Sequence, residues 1–369
     1  MRISIIGPAY PHRGGIAHHV YCIQQQLTAR KHIVQVVSFS KLYPSIFFPG
    51  TTELDNSLLK FEAGALPILT PLNPATWLRA FKRLKSFAPD VVVFQWWQPF
   101  FGPLVGTLAR WLRRSGLRCV IECHNVFPHE RTPLDRVLVK FALSPADDLI
   151  THSISDREEL LALFPGKHVT VSPLPSLDEF STPGAETREG RTILFFGKVR
   201  KYKGLDSLLA AMPNVLSKID CELLVVGEFY DSIDKYQQLV RKLGIENNVR
   251  IDNRYVPNEE VPAIFARADV LVLPYISATQ SAVARIALSN RLPIIASRTG
   301  GLSECVIEDF NGMLFPPGDS SALADKIVEY FSARRGPQFA KNILTSSNTN
   351  SNTRMCTIIE TIEALARHE

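Results

Sequence analysis

Short apolar runs, each closed by a polar, glycine or proline loop and followed by a helical pattern, recur along the whole chain. No other feature restricts the possible folds as much. Ile3–Gly7, Val34–Phe39, Val91–Phe94, Cys119–Cys123, Leu149–Ile150 and Val169–Val171 make a first series. Ile193–Gly197, Leu223–Gly227, Val249–Asp252, Val270–Leu273 and Leu292–Ala296 make a second. Strands alternating with helices build parallel sheets with helices on the faces. Between the series, residues 173–191 hold three prolines and two glycines and read as a linker. The expectation is an α/β chain of two doubly wound, Rossmann-like parallel-sheet domains facing a cleft. The first covers 1–175 and the second 190–345. A helix over about 354–369, apolar at Met355, Ile358, Ile359, Ile362 and Leu365, returns to the first. The Ser/Thr/Asn run Thr345–Thr353 reads as a loop.

With 369 residues, two domains is the natural count. The 41 basic and 36 acidic residues leave +5, too mild to argue for nucleic acid. Six scattered cysteines without a C-x-x-C pair suit a reducing compartment. The start reads as a strand rather than a signal peptide, and no apolar run is long enough to span a bilayer. The expected location is cytoplasmic, peripheral at the inner membrane face. That surface is a candidate partner because two helices carry Arg79, Lys82, Arg83 and Lys85, then Arg110, Arg113 and Arg114, beside apolar faces; the alternative is that these are ordinary solvated helix faces. In the first, Leu78, Phe81, Leu84 and Phe87 form the apolar face.

The stretch Ala278–Glu304 concentrates the signal. A strand ends at Pro274, and a polar loop opens a helix near Ser281 that closes at Asn290. A second strand then leads to Gly300-Gly301 and Glu304. Where strand becomes helix, free backbone N–H groups and the positive helix end can hold an anion. Strand, glycine loop and helix also open the chain, over Ile3–Ala29, without the G-x-G-x-x-G fingerprint of dinucleotide sites.

Several motifs in fixed order carry a resemblance. They are Phe-Phe-Gly-Lys-Val-Arg-Lys-Tyr-Lys-Gly (195–204), Leu-Val-Val-Gly-Glu (224–228), Ala-Asp-Val-Leu-Val-Leu-Pro (268–274), Thr-Gly-Gly-Leu-Ser-Glu (299–304) and Asn-Gly-Met-Leu-Phe-Pro-Pro-Gly-Asp (311–319). Together they resemble the C-terminal domain of the family-4 (group 1) retaining glycosyltransferases of GT-B fold. The first half matches more loosely, through Gly14-Gly15 and His124. The family places two glutamates eight apart where this chain has Ala278 and Ile286. That departure removes the usual ribose contact and leaves Gln280 and Ser281 as the nearest polar substitutes.

The resemblance implies a UDP-, GDP- or ADP-sugar donor, a glycan or lipid-linked acceptor, no further cofactor and no nucleic acid. Lys198 and Lys203 follow a strand end, where fixed cations stabilise a departing diphosphate; the alternative is a solvated basic turn. His124 could hydrogen-bond the donor sugar, or be a satisfied core histidine. Gly14 and Gly15 allow close backbone approach, or make a plain turn. Glu304 faces the donor sugar by resemblance, or simply caps a helix. Gly227, Glu228, Arg254 and Tyr255 resemble base-binding edges. Thr279, Gln280, Ser281 and Ala282 line the anion seat. His129, Glu130 and Trp97 are acceptor candidates. No metal site is expected, and no Asp-x-Asp occurs. The rival readings are a non-catalytic scaffold that binds nucleotide or glycan, and a sugar-nucleotide epimerase or phosphorylase.

Overall fold

The computed structural model describes residues 1–43, 53–128, 130–175, 177–181 and 190–367, the side chains of 347–356 excepted. His129, the Met355 side chain and about half of the expected linker lie outside the described residues. The chain divides into two compact units. One comprises Met1–Asn56, Lys60–Leu174 and Thr353–Glu369; the other comprises Ser57–Leu59 and Pro175–Asn352.

The first unit holds seven parallel strands: β1 Arg2–Ile6, β2 Ile33–Phe39, β3 Leu66–Leu69, β4 Val91–Trp96, β5 Arg118–Cys123, β6 Asp148–Thr151 and β7 Val169–Val171. Their order is β3-β2-β1-β4-β5-β6-β7. The second unit holds six: β8 Thr192–Phe196, β9 Glu222–Val226, β10 Val249–Asp252, β11 Val270–Leu273, β12 Ile294–Ser297 and β13 Gly312–Phe315. Their order is β10-β9-β8-β11-β12-β13, again parallel. Each sheet reverses direction of growth after its third strand, when the chain crosses to the other side of the first. Its switch point, between β1 and β4 or between β8 and β11, is where such sheets receive ligands. The strands are mostly apolar because helices cover both sheet faces.

Three helices, Pro74–Phe87, Gly102–Arg114 and Pro133–Leu143, share one core with the first sheet, built on Trp77, Leu84, Leu104, Leu108, Val139 and Leu143. A separate core on that sheet joins the helix Gly15–Ala29 to Ile358, Ile359, Ile362 and Leu365 of the last helix. The C-terminal segment therefore does return to the first unit, as its one-sided apolar pattern requires. Two expectations fail. Leu78 is 46% exposed rather than inward, while Trp77 and Ala80 take the buried positions. The run Thr345–Thr353 is not a loop but part of one helix, Arg335–Arg367. Ser, Thr and Asn cost only about 0.5 kcal/mol each against alanine in a helix. Adding residues to an existing helix avoids a second nucleation. Phe339 and Ile343 before the run and Ile358 after it are buried and hold its ends.

Ile362→Ala removes a fully buried side chain from that second core. It is expected to destabilise the first unit by about 2–5 kcal/mol, read as a lower urea midpoint by hydrogen exchange in β1 and β4. An unchanged midpoint contradicts the docked helix.

Candidate functional site

In the first unit, the carboxyl ends of β4, β5 and β6 bring together Gln95, Glu122, His124 and His152. The helix after β1 adds His19. That helix starts at Gly15, and Gly14 before it has φ 120°, a left-handed value that glycine tolerates. Glu122 is fully buried, and its charge is held by neighbours. His19 Nε2 donates to Glu122 Oε1 at 2.7 Å, and Gln95 Nε2 donates to Glu122 Oε2 at 2.7 Å. The Gln95 amide oxygen accepts from His124 Nε2 at 2.6 Å. His152 Nδ1 donates to the Ser172 carbonyl at 2.7 Å, and its Nε2 lies 3.3 Å from Glu122 Oε1. Gly7 makes room: a Cβ there would sit 2.6 Å from Gln95 Cγ.

This chain of bonds fixes the state of His124. Burial, then the neighbouring His152, holds its pKa well below the ordinary histidine value, although Glu122 pulls the other way. The ring is neutral at pH 7, carries its proton on Nε2, and leaves Nδ1 as an acceptor. For Glu122, burial alone would raise the carboxyl. Charge and hydrogen bonding from His19, with His152 and His124, hold it well below the carboxylate range instead. The ligand atoms of His19, Glu122, His124 and His152 lie within 4.8 Å of one another, so this donor set could take a divalent metal. The hydrogen bonds just described already satisfy the carboxylate, and they account for the cluster as a polar network.

The other first-unit candidates are not part of this cluster. Trp97 is half-buried, donates from Nε1 to the Tyr43 hydroxyl at 3.1 Å and packs on Phe101. Glu130 is exposed in a loop. Only His124 of the cluster stood out in the sequence. The signal for the rest was a polar residue inside an otherwise apolar strand, Gln95 in β4 and Glu122 in β5.

In the second unit, β8 runs into Gly197 and a tight turn, Lys201–Lys203, before the helix Leu205–Leu216. Gly227 is required at the neighbouring strand end, because a Cβ there would meet the Gly197 carbonyl at 2.0 Å. Lys203 is only 8% exposed. Its Nζ lies 5.2 Å from the centre of the Tyr275 ring, and among the described residues no carboxylate pairs with it. The point 3.3 Å from that Nζ, over Gly197, is also 3.4 Å from Val283 Cγ2 in the first turn of the helix Ala282–Ser289. A buried, unpaired ammonium thus lies beside a helix amino terminus at the switch point. Lys198, by contrast, is exposed, with Nζ 5.5 Å from the Tyr230 ring centre.

Ser281 caps the helix Ala282–Ser289, its Oγ accepting from Ala284 N at 3.2 Å. The loop before it fits against the Gly-Gly loop. A Cβ on Gly300 would fall 1.7 Å from the Ala278 carbonyl, and one on Gly301 1.9 Å from that of Thr279. Thr279, Gln280 and the segment leading to Glu304 are therefore held together, with Glu304 exposed. Glu228 is buried at the end of β9. Arg254 is bound to Asp252 at 2.9 Å and to Glu260 at 2.6 Å, and these carboxylates, Glu260 first, raise its pKa. Tyr255 follows it, half-buried. Arg285, 5% exposed on the same helix as Ala282, has Nε and one Nη without a hydrogen-bond partner, and nothing in the sequence singled it out.

Comparison with known proteins places both halves. A family model described as glycosyl transferases group 1 matches residues 190–333, and one described as a glycosyl transferase 4-like domain matches 14–175. A D-inositol 3-phosphate glycosyltransferase of Corynebacterium diphtheriae is 27% identical over 52% of this chain and 47% of its own. An uncharacterised glycosyltransferase of Methanocaldococcus jannaschii is 28% identical over 36% and 34%. The chain spans about half the length of the first of these relatives and less of the second. Among solved structures, sucrose-phosphate synthase from Thermosynechococcus elongatus aligns over 99% of both chains, with a TM-score of 0.77 and 18% identity. Anabaena HepE in complex with UDP aligns over 99% of this chain and 100% of that one, at 0.75 and 16%. At such identities the likeness is one of fold.

Burial holds the Lys203 ammonium below its ordinary 10.5, Tyr202 opposing and Arg200 adding to the effect. Between the folded and ordinary values the unfolded chain binds more protons, so stability rises with pH there. The cost of burying the charge is therefore full below the folded value and gone above the ordinary one. Lys203→Met is expected to match or exceed the wild type in Tm at pH 7, with the difference closing above about pH 10.5. A clear loss of Tm at pH 7 contradicts an unpaired ammonium.

Proposed function

The chain belongs to the group 1 glycosyltransferases, with two Rossmann-like domains of the GT-B fold, and from this we propose that it transfers a sugar from a nucleotide-sugar to a hydroxyl group. The acceptor is a lipid-linked or polysaccharide intermediate, and the anomeric configuration is retained. The observation that carries the reading is Lys203, a cation buried without a counter-charge at the carboxyl edge of β8. A nucleoside diphosphate supplies the missing anion. The structures of HepE with UDP and with UDP-glucose support such a donor through their shared fold.

In this reading the second unit holds the donor. Lys203, with Lys198 at its rim, stabilises charge as the bond from the anomeric carbon to the diphosphate breaks. The amino end of the helix Ala282–Ser289, with Thr279, Gln280 and Ser281, receives phosphate oxygens. Glu304 meets sugar hydroxyls. Gly227, Glu228, Arg254 and Tyr255 form the nucleoside edge. The first unit takes the acceptor. There Gly14 and Gly15 allow close approach, and His124 offers Nδ1 to a sugar hydroxyl. The new bond joins the anomeric carbon to the acceptor oxygen, whose proton leaves on the diphosphate. A non-catalytic, nucleotide-binding scaffold is the second reading, favoured by Ala278 and buried Ile286 where the family has glutamates.

In a thermal-shift panel of UDP-, GDP- and ADP-sugars, one donor is expected to raise Tm, equivalent to about 2.7 kcal/mol at 100 times its Kd. With that donor, Lys203→Ala should lower turnover by about 100-fold or more. Stabilisation without turnover on any glycan or lipid-linked acceptor selects the scaffold. Turnover is also expected to persist in EDTA, and loss restored by Mg²⁺ or Mn²⁺ overturns metal independence.

A further inference from the structure

The helices Pro74–Phe87, Gly102–Arg114 and Pro133–Leu143 form one layer on the first sheet, because all three feed the same core. Phe81 of the first meets Trp111 of the second with ring centres 6.0 Å apart. The second approaches the third closely through Gly102 and Gly106. A Cβ on Gly106 would stand 2.6 Å from the Phe141 carbonyl, and one on Gly102 3.1 Å from that of Leu138. Arg110 secures this seam, its guanidinium 4.1 Å from the Phe141 ring centre and bonded to the Phe141 carbonyl and Ser144 hydroxyl.

Two properties of the outer side of this layer coincide. The third helix presents Leu134 and Val137, each 62% exposed, and Phe141, 39% exposed, at the i, i+3, i+7 spacing of one helical stripe. Leu78 of the first helix is also exposed. Within these three helices the exposed charge has one sign. Arg79, Lys82, Arg83, Lys85, Arg113, Arg114, Arg136 and Lys140 are all exposed. The three helices contain a single acid, Asp135, which is buried and accepts from Thr132 N at 2.6 Å. Among the described residues, Arg113 is the one of these cations in an ion pair, with Asp147 at 2.8 Å. Ordinary protein surfaces interleave both signs, and an exposed apolar ridge marks an interaction site.

We propose that this three-helix layer docks on an anionic lipid bilayer, with Leu134, Val137 and Phe141 entering the headgroup region and the surrounding lysines and arginines facing lipid phosphates. A nucleic acid would answer the charge and leave the ridge wet. An apolar protein partner would cover the ridge and leave the cations unanswered. A bilayer surface answers both, as it does for in-plane amphipathic helices. No helix among the described residues is long and apolar enough to cross a membrane, so the attachment is to one leaflet. The inference goes beyond the transfer reaction and stands whichever donor is used.

The test is flotation of the full chain with vesicles of phosphatidylcholine alone or mixed with phosphatidylglycerol. Binding is expected only to the mixed vesicles at low salt. Leu134→Glu combined with Val137→Glu should weaken it by about tenfold or more, with an unchanged Tm because both positions are exposed. Arg79→Glu with Lys82→Glu should weaken it at low salt and have little effect at about 1 M salt, where the screening length is about 3 Å. Absence of flotation with the mixed vesicles, or equal binding by the Leu134/Val137 variant, overturns the proposal. So does displacement of the vesicles by duplex DNA at equal charge, which assigns the face to nucleic acid.

Discussion

A lysine ammonium taken out of water with nothing to neutralise it costs folding free energy. Lys203 is held in that condition by local structure. Gly197 and Gly204 both have positive φ, and a Cβ on Gly204 would collide with the Pro274 carbonyl. The backbone of Tyr202 is tied to Ile276 at 2.7 Å, which fixes the turn against the loop that follows β11. Two adjacent strands thus deliver their loops to one place, and the cation is held there with the residue only 8% exposed. Charge left unbalanced by the protein is what an anionic ligand can use.

The first unit solves the opposite problem. Glu122 is buried more completely than Lys203, yet its oxygens accept from His19 and Gln95, and His152 stands close by. This network is closed on itself and rigid. Its one outward consequence is the fixed neutral state of His124, an acceptor atom rather than a charge. The two units therefore offer different chemistry: an electrostatic hole in the second, a set of oriented polar atoms in the first.

The architecture was legible because apolar runs such as Val91–Phe94 and Val270–Leu273 admit few alternatives. The edge strands β7 and β10 were legible too, whereas β3 and β13 were not. β3 is four residues long and contains Pro67, which removes a ladder donor and suits only an edge. The helical state of Thr345–Thr353 was hidden for a different reason, since tertiary anchoring at both ends overrode weak local preference. The outward position of Leu78 and the exposed stripe of the helix Pro133–Leu143 depend on how neighbouring helices lie, which periodicity alone does not give. In the candidate site, Lys203 could be read from its place after a strand and a glycine. The partners of His124 could not, because His19 and Glu122 are 103 positions apart and meet only once the sheet is formed.

The most direct measurement is the titration of the Lys203 side-chain nitrogen by NMR, assigned by its loss in Lys203→Met. Without ligand, the ammonium should titrate below the ordinary lysine value, as burial dictates. Saturation with the matching nucleoside diphosphate should raise it, because a bound anion favours the charged form. A Lys203 titration that starts at the ordinary value, or that none of UDP, GDP and ADP displaces, contradicts the account.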